Sequence, residues 1–305
     1  MDYYTQTADR PDLAQLDVNL PEGYIGTTIV PVREVGEKAG SAAYATLTAA
    51  TAAQTGRVAG VAPTTTQIAN SAHAWACTEI IERAGVTPDE AKQMGGIDKA
   101  DKVGSDWAKR SVLSAREALI VAQVLGTADG NFDAAKIRTD FQTGLQTIRQ
   151  YPGRTALVGA TITLKAMVQA ILGTAGVGDA FARIVTGANA AEAAMGLSFD
   201  AWKRGVALFL GVDDVLAGDD DIWAAGTAAE KVALVKIENS GDPLAHKYKP
   251  VFGKCIQFMP DGGNGFEVQS IADRLTLNNI YDAKLWADVE IYNAAAVYVF
   301  DGVAA

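Results

Sequence analysis

The segment from Ile97 to Leu125, IDKADKVGSDWAKRSVLSAREALIVAQVL, constrains this chain more than any other. Val103, Trp107, Leu113, Ala115, Ala118, Leu119, Ala122 and Leu125 fall mostly at helical spacings, while Asp98 with Lys102 and Asp106 with Arg110 form acid-before-base pairs. The pattern predicts one continuous amphipathic helix. At about 1.5 Å per residue it runs on the order of 40 Å, well beyond the three or four turns usual in a globular domain. Such a rod is either a long core helix of an ordinary α/β enzyme or a spine bracing an elongated, flattened subunit. Gly104 inside it costs up to about 1 kcal/mol relative to alanine, which packing has to outweigh.

The residues before this helix are poor in large apolar groups. Residues 1–32 mix Asp, Pro, Gln and Asn and end in the short extended segment GYIGTTIVPV, which predicts an arm that gains order by lying on something else. Residues 33–66 are rich in Ala, Gly and Thr, with Tyr44 the main large side chain, and cannot bury enough apolar area to stand as a compact unit. The weak strands REVGEKA and SAAYATL, with the returning GRVAGVAP, predict a two-stranded loop that projects from the body and needs a neighbour's support. TQIANSAHAWACTEIIERA then alternates as a strand, with Ile68, Ala72, Ala74 and Ala76 on one face and His73, Trp75 and Cys77 on the other. Thr87, Pro88 and Glu90 spell a capping box for a short helix that ends at Gly95-Gly96.

Beyond the rod, Ile137, Phe141, Leu145 and Ile148 make a helical stripe closed by Pro152-Gly153. The strand TALVGA, the helices TLKAMVQAIL, FARIVTGANAAEAAM and FDAWKRGVALFL, and the strands DDVLAG, KVALVKI and KCIQFM alternate as in a compact α/β lobe from about 150 to 260. Residues 261–305 are strand-rich and are expected to return beside the long helix as a sheet packed across it.

Composition narrows the function. The 305 residues are 49% hydrophobic, enough for one large or two modest cores. A net charge of −10 with no basic block argues against a reader that neutralises phosphates, while allowing a surface that lies near a polyanion without sticking. No apolar run approaches about 18 residues and the N-terminus lacks signal-peptide features, so a soluble chain made in the cytosol, with no membrane partner, is expected.

Catalytic chemistry is scarce. The two histidines are His73 and His246, with no nucleophile elbow, HExxH or CxxC. Cys77 and Cys255 sit in apolar stretches and read as small buried residues without a disulfide. Asp213, Asp214, Asp219, Asp220 and Asp221 could hold a hard cation through oxygen ligands, but a solvated acidic turn explains them better. GTAGVG at Gly173 and GGNG at Gly262 lack the context of phosphate loops. No catalytic residue, metal ligand or cofactor is assigned. The five tryptophans are scattered singly and read as core or interface anchors. His246, Lys247, Lys249 and Lys254 form either a solvated loop or a patch that meets the acidic turn of a neighbour.

Taken together, the order of an arm, a projecting Ala/Gly/Thr loop, a strand, a spine helix, an α/β lobe and a returning strand-rich tail resembles the major capsid proteins of tailed bacteriophages, the Hong Kong 97-type fold. The segments GYIGTTIVPV, TQIANSAHAWACTEIIERAGVTPDEA, IDKADKVGSDWAKR, ALFLGVDDVLAGD and YDAKLWADVEIYNAAAVYVF carry the likeness, which covers nearly the whole chain. The resemblance implies an α+β fold with an N-terminal arm at 1–32, an extended β-hairpin loop at 33–66, and a peripheral domain with the spine helix at 67–149. An axial α/β domain follows at 150–260, and return strands of the peripheral domain at 261–305.

It further implies a non-enzymatic homo-oligomer. Pentamers and hexamers would close an icosahedral shell around packaged double-stranded DNA held without sequence-specific binding, as part of a virion assembled in the host cytoplasm. Separate scaffolding and portal proteins, and possibly decoration proteins, would be partners. Tyr24, Ile25, Arg33, Glu37, Lys38, Tyr44, Arg57, Asp219, Asp220, Asp221, Lys247 and Lys249 are the expected subunit contacts. An encapsulin-like shell and, from another class, a soluble α/β enzyme with an acidic site near Asp213–Asp221 are the alternatives.

Overall fold

A computed structural model describes residues 6–15, 18, 23–45, 70–151, 153–185, 199–237, 252–259, 265–272 and 278–303. The chain begins with β1 (Gln6–Asp9), α1 (Pro11–Ala14), α2 (Gly26–Ile29), β2 (Val32–Val35), β3 (Ala39–Ala45), β4 (Asn70–Ala76) and β5 (Thr78–Val86). The helix α3 (Pro88–Gln93) follows, opened by the predicted capping box of Thr87 with Glu90. The rod is α4 (Ile97–Val124), a single helix of 28 residues. After it come β6 (Gly130–Asn131), α5 (Ile137–Ile148), β7 (Arg154–Ala160), α6 (Thr161–Gly173), α7 (Val177–Val185), α8 (Phe199–Leu210), β8 (Asp214–Gly218) and α9 (Asp220–Trp223). β9 (Val232–Ile237), β10 (Gly253–Phe258), β11 (Glu267–Ala272), β12 (Asn279–Ile291) and β13 (Val297–Asp301) complete it.

Two main sheets organise these elements. A six-stranded sheet runs β1-β11-β12-β10-β2 with β5 also paired to β12, and a five-stranded sheet runs β6-β13-β9-β7-β8. The five-stranded sheet is buried on both faces, and its alternation shows it. Ala156, Val158, Ala160, Ala233, Val235 and Ile237 enter the core shared with α4, while Leu157, Val232, Leu234 and Phe300 enter a second core beneath α5, α6 and α8.

Sheet membership departs from the expected segments. KCIQFM was expected in the lobe, yet β10 pairs with β12 and β2 in the six-stranded sheet. The tail was expected wholly beside the rod, yet β13 pairs with β9 and β6 in the lobe sheet. The 3-10 turn Ala294–Ala296, with Ala296 fully buried, is where the chain passes from one sheet to the other. Helix α5 packs on β9 and β13, so it too belongs with the lobe.

The arm also differs from expectation. β1 adds to the chain's own sheet, antiparallel to β11, and Leu13, Ile29 and Val30 are buried in its own core. Few but well-placed apolar residues, with Arg10 on Asp101 at 2.9 Å, hold it down. In the projecting loop Ala39–Ala45 pairs with Asn70–Ala76 as a two-stranded sheet of its own, and GRVAGVAP lies outside the described residues. Of the faces read along that strand, His73, Trp75 and Cys77 are half-covered while Ala74 and Ala76 are exposed.

The face that α4 turns inward is the largest correction. The residues expected to line it include Val103, Trp107 and Leu119, which are 37%, 67% and 41% exposed. Buried along with the expected Leu113 and Leu125 are Ala100, Gly104, Ala108 and Val112, spaced by four, together with Ser105, Lys109, Arg116 and Glu117. Small residues let the sheet come close: Gly104 lies under the ring of Tyr281, where a Cβ would collide with ring carbons. Asp106 meets Arg110 at 2.8 Å on the outer side, as the spacing predicts.

Gly104→Ala should therefore destabilise the fold by about 1–3 kcal/mol through overpacking, even though alanine is the better helix former by up to about 1 kcal/mol. Urea unfolding of the two proteins measures the difference, and an unchanged or raised midpoint would mean that the Tyr281 ring yields freely.

Candidate functional site

Among the described residues no group of three or more His, Cys, Asp or Glu side chains gathers as metal ligands would. The acidic residues read as a possible cation site are each engaged separately. Asp213 accepts the Thr155 N–H at 2.7 Å, Asp220 accepts the Ile162 N–H at 2.7 Å, and Asp219 caps α9 through the Asp221 N–H at 3.0 Å. His73 lies edge-on to Tyr292 with its Nδ1 3.9 Å from Glu290, and His246 falls outside the described residues. Cys255 is buried, which raises its thiol to about 11, whereas Cys77 is only half-buried; both are free.

What the chain does build is a braced rod with one bare side. On its covered side, Glu117 is 1% exposed, and its Oε1 accepts both the Gly26 N–H at 2.7 Å and the indole N–H of the fully buried Trp223 at 2.9 Å. Arg116 donates to Gln257 at 3.0 Å, and Lys109 donates to the carbonyls of Leu13 and Ala14. Thus the arm, the lobe and the six-stranded sheet are all fastened to polar side chains of one helix. A Cβ on Gly26 would stand 2.5 Å from Glu117 Oε2, so this glycine is what lets the arm approach. Sequence periodicity missed all three charged residues, because charge at such a position reads as solvated.

On the bare side, Val103 and Trp107 lie one turn apart, and Ala118 and Ala122 continue the exposed strip. The two-stranded ribbon is fixed at its root and, through His73 against Tyr292, partway along. Lys38 Nζ sits 3.5 Å from the centroid of the Trp286 ring, the Ala76 N–H donates to Asp288 at 2.9 Å, and the indole N–H of Trp75 donates to the Glu37 carbonyl at 3.3 Å. Gly40 packs flat on Trp75, where a Cβ would be 2.5 Å from the indole.

The expected contact residues scatter over these features. Tyr24 and Ile25 pack against the chain's own core. Arg33 lies 5.7 Å from the Trp75 ring, Glu37 and Lys38 are at the ribbon root, and Tyr44 pairs its backbone with Ser71. The Asp219 N–H donates to the Gly23 carbonyl at 3.1 Å, which places the acidic turn beside the arm. The Tyr44 side chain, Arg57, Lys247 and Lys249 lie outside the described residues.

No protein-family model matches the chain, and no curated protein does. Solved structures do. A phage-related protein from Bordetella bronchiseptica RB50 aligns at a TM-score of 0.62 and 15% identity, covering 98% of each chain. The capsid of a native GTA particle aligns at 0.54 and 11% identity, over 94% of this chain and 92% of that one. The capsid of the cyanophage P-SCSP1u aligns at 0.51 and 9% identity, over 94% and 90%. At such identities the likeness is one of fold, and that fold is α+β, of the Hong Kong 97 type.

Burial pushes the Glu117 carboxyl above its ordinary 4.5, with the N–H groups of Gly26 and Trp223 and the charge of Arg116 opposing. Because the folded value is the higher one, the protonated form's contribution to stability is complete below pH 4.5 and is lost as pH rises through the raised value. Glu117→Gln keeps an oxygen for both donors, so wild type should lose stability relative to this variant as pH rises above 4.5; a gap that stays constant with pH would refute the assignment. Glu117→Ala should cost about 1–3 kcal/mol for each of the two orphaned donors.

Proposed function

We propose that this chain is the major head protein of a tailed bacteriophage, a structural subunit that assembles into pentamers and hexamers and closes an icosahedral shell around double-stranded DNA. The observation that carries the reading is an apolar strip left outside: a 28-residue helix exposes Val103 and Trp107 even though it buries Val112, Ile120 and Val124 in the chain's own core. In a monomer that arrangement leaves a bulky indole 67% in water. In a ring of identical subunits it gives each copy a strip for its neighbour to cover. The fold, met in the capsids of a GTA particle and a cyanophage, supports the same reading.

The mechanism is assembly without turnover. The ribbon's small side chains allow close approach to a neighbour, which supplies the support that two strands lack by themselves. Each contact can be weak because it recurs around closed symmetry and every copy is held by several others at once. At the ribbon root Glu37 and Lys38 are exposed, and Asp220 and Asp221 are exposed at the acidic turn, so these are contact candidates alongside Trp107. The net charge of −10 suits a wall along which confined DNA slides. Scaffolding and portal proteins complete such a head, and the shell forms in the host cytoplasm before DNA enters.

Negative-stain microscopy of the purified chain tests the proposal. Shells or capsomer rings are expected, and discrete small particles at every concentration would overturn it. Shells that enclose protein cargo and no nucleic acid in the native host would point to an encapsulin-like container instead. Trp107→Ala should leave monomer stability within about 0.5 kcal/mol, since the indole is exposed, yet should reduce shell formation severely. Sedimentation velocity at matched concentration separates the two effects, and unchanged assembly would remove Trp107 from the interface.

A further inference from the structure

On the lobe, α5 and the edge of the strand pair β7–β9 enclose a groove of about 360 Å³ that has no part in the assembly surfaces above. Its floor is a cross-strand pair, Thr155 opposite Lys236, and its wall is a stripe of α5 and the residue just past its end, Gln142, Gln146 and Arg149. A guanidinium, an ammonium, two primary amides and a hydroxyl therefore converge on one space, and no carboxylate is among the described residues that line it. In a chain of net charge −10 such a lining runs against the overall composition.

The local hydrogen bonding leaves that donor set available. Lys236 Nζ spends one N–H on the Gly153 carbonyl at 3.2 Å. Asp213, the nearest acid, accepts the backbone N–H of Thr155 at 2.7 Å from outside the groove. Burial lowers the Lys236 amine, with Asp213 opposing, and a negative group seated beside it would offset that cost. Arg149 presents a fork suited to two oxygens of one anion, which a lysine cannot match. The volume falls in the range of small-ligand pockets and accommodates an oxyanion together with the group that carries it.

The geometry points to an oxyanion-binding groove, in which Arg149 and Lys236 hold a phosphate or a carboxylate and Gln142, Gln146 and Thr155 fix its orientation. The oxyanion reaches it either on a small phosphate compound or on an acidic stretch of another chain, such as the Asp219–Asp221 turn of a second copy, and the shared chemistry is the same.

Calorimetric titration of the purified full chain with inorganic phosphate and with the tripeptide Asp-Asp-Asp, at constant ionic strength, tests this. Saturable binding of at least one probe is expected, with the tighter one identifying the source. Arg149→Gln combined with Lys236→Gln should weaken binding at least about tenfold, as loss of charge-assisted hydrogen bonds requires. Arg149→Lys should fall in between, because the charge remains and the fork does not. Should the double variant fail to fold, Arg149→Gln alone serves, since Arg149 is exposed, and should still weaken binding several-fold. Lys99→Gln with Lys102→Gln, on the exposed side of α4, should bind as wild type does. No saturable binding of either probe, or equal affinity in wild type and the Arg149 variants, would overturn the assignment.

Discussion

The carboxylate of Glu117 is the point on which the rest of the architecture depends. One oxygen receives Gly26 from the arm and Trp223 from the lobe, 91 and 106 residues away in sequence. A buried charge of this kind is costly unless its bonds are satisfied, so the three parts hold their relation only when all of them are in place. Arg116 and Lys109 extend the same logic along the helix, tying Gln257 of the sheet and the last carbonyls of α1 to one rod. These polar bonds add to the apolar core in which Val112, Ile120 and Val124 of the same helix are fully buried.

The same helix also carries apolar contacts. Small residues and polar anchors share its covered side with Val112, Leu113, Ile120, Val121 and Val124, while Val103, Trp107 and Leu119 face outward. Tyr281 fills the space over Gly104 and donates to Asp101, which also receives Arg10, so the sheet, the rod and the arm share a second acid. Asp282 on the opposite face of the same strand takes the Arg83 fork at 2.6 and 2.7 Å, holding β5 to β12.

Local signals were legible in the sequence, and distant ones were not. The rod's ends, the Thr87 capping box and the stripe of α5 follow from spacing and capping within a few residues, and they stand where spacing places them. Which strand joins which sheet depends on partners far along the chain, so KCIQFM and VYVFD were assigned to the wrong layers. The inward face of α4 was misread for a different reason: periodicity finds an apolar stripe without saying whose core it enters. The small residues at 100, 104 and 108 were the available signal, since a stripe of Ala, Gly and Ala at spacing four marks a close approach. Trp107 reads from the sequence as a core or interface anchor, and its 67% exposure leaves it outside the chain's own core.

The order of strands has a bearing on when a newly made chain becomes usable. β12 is the central strand to which β5, β10 and β11 all attach, and β13 sits between β6 and β9, so both sheets are completed only by residues 279–301. A polypeptide still threaded through the ribosome, with those residues hidden in the exit tunnel, has neither layer finished. Because the same short stretch closes both layers, the two sheets come to completion together rather than in turn.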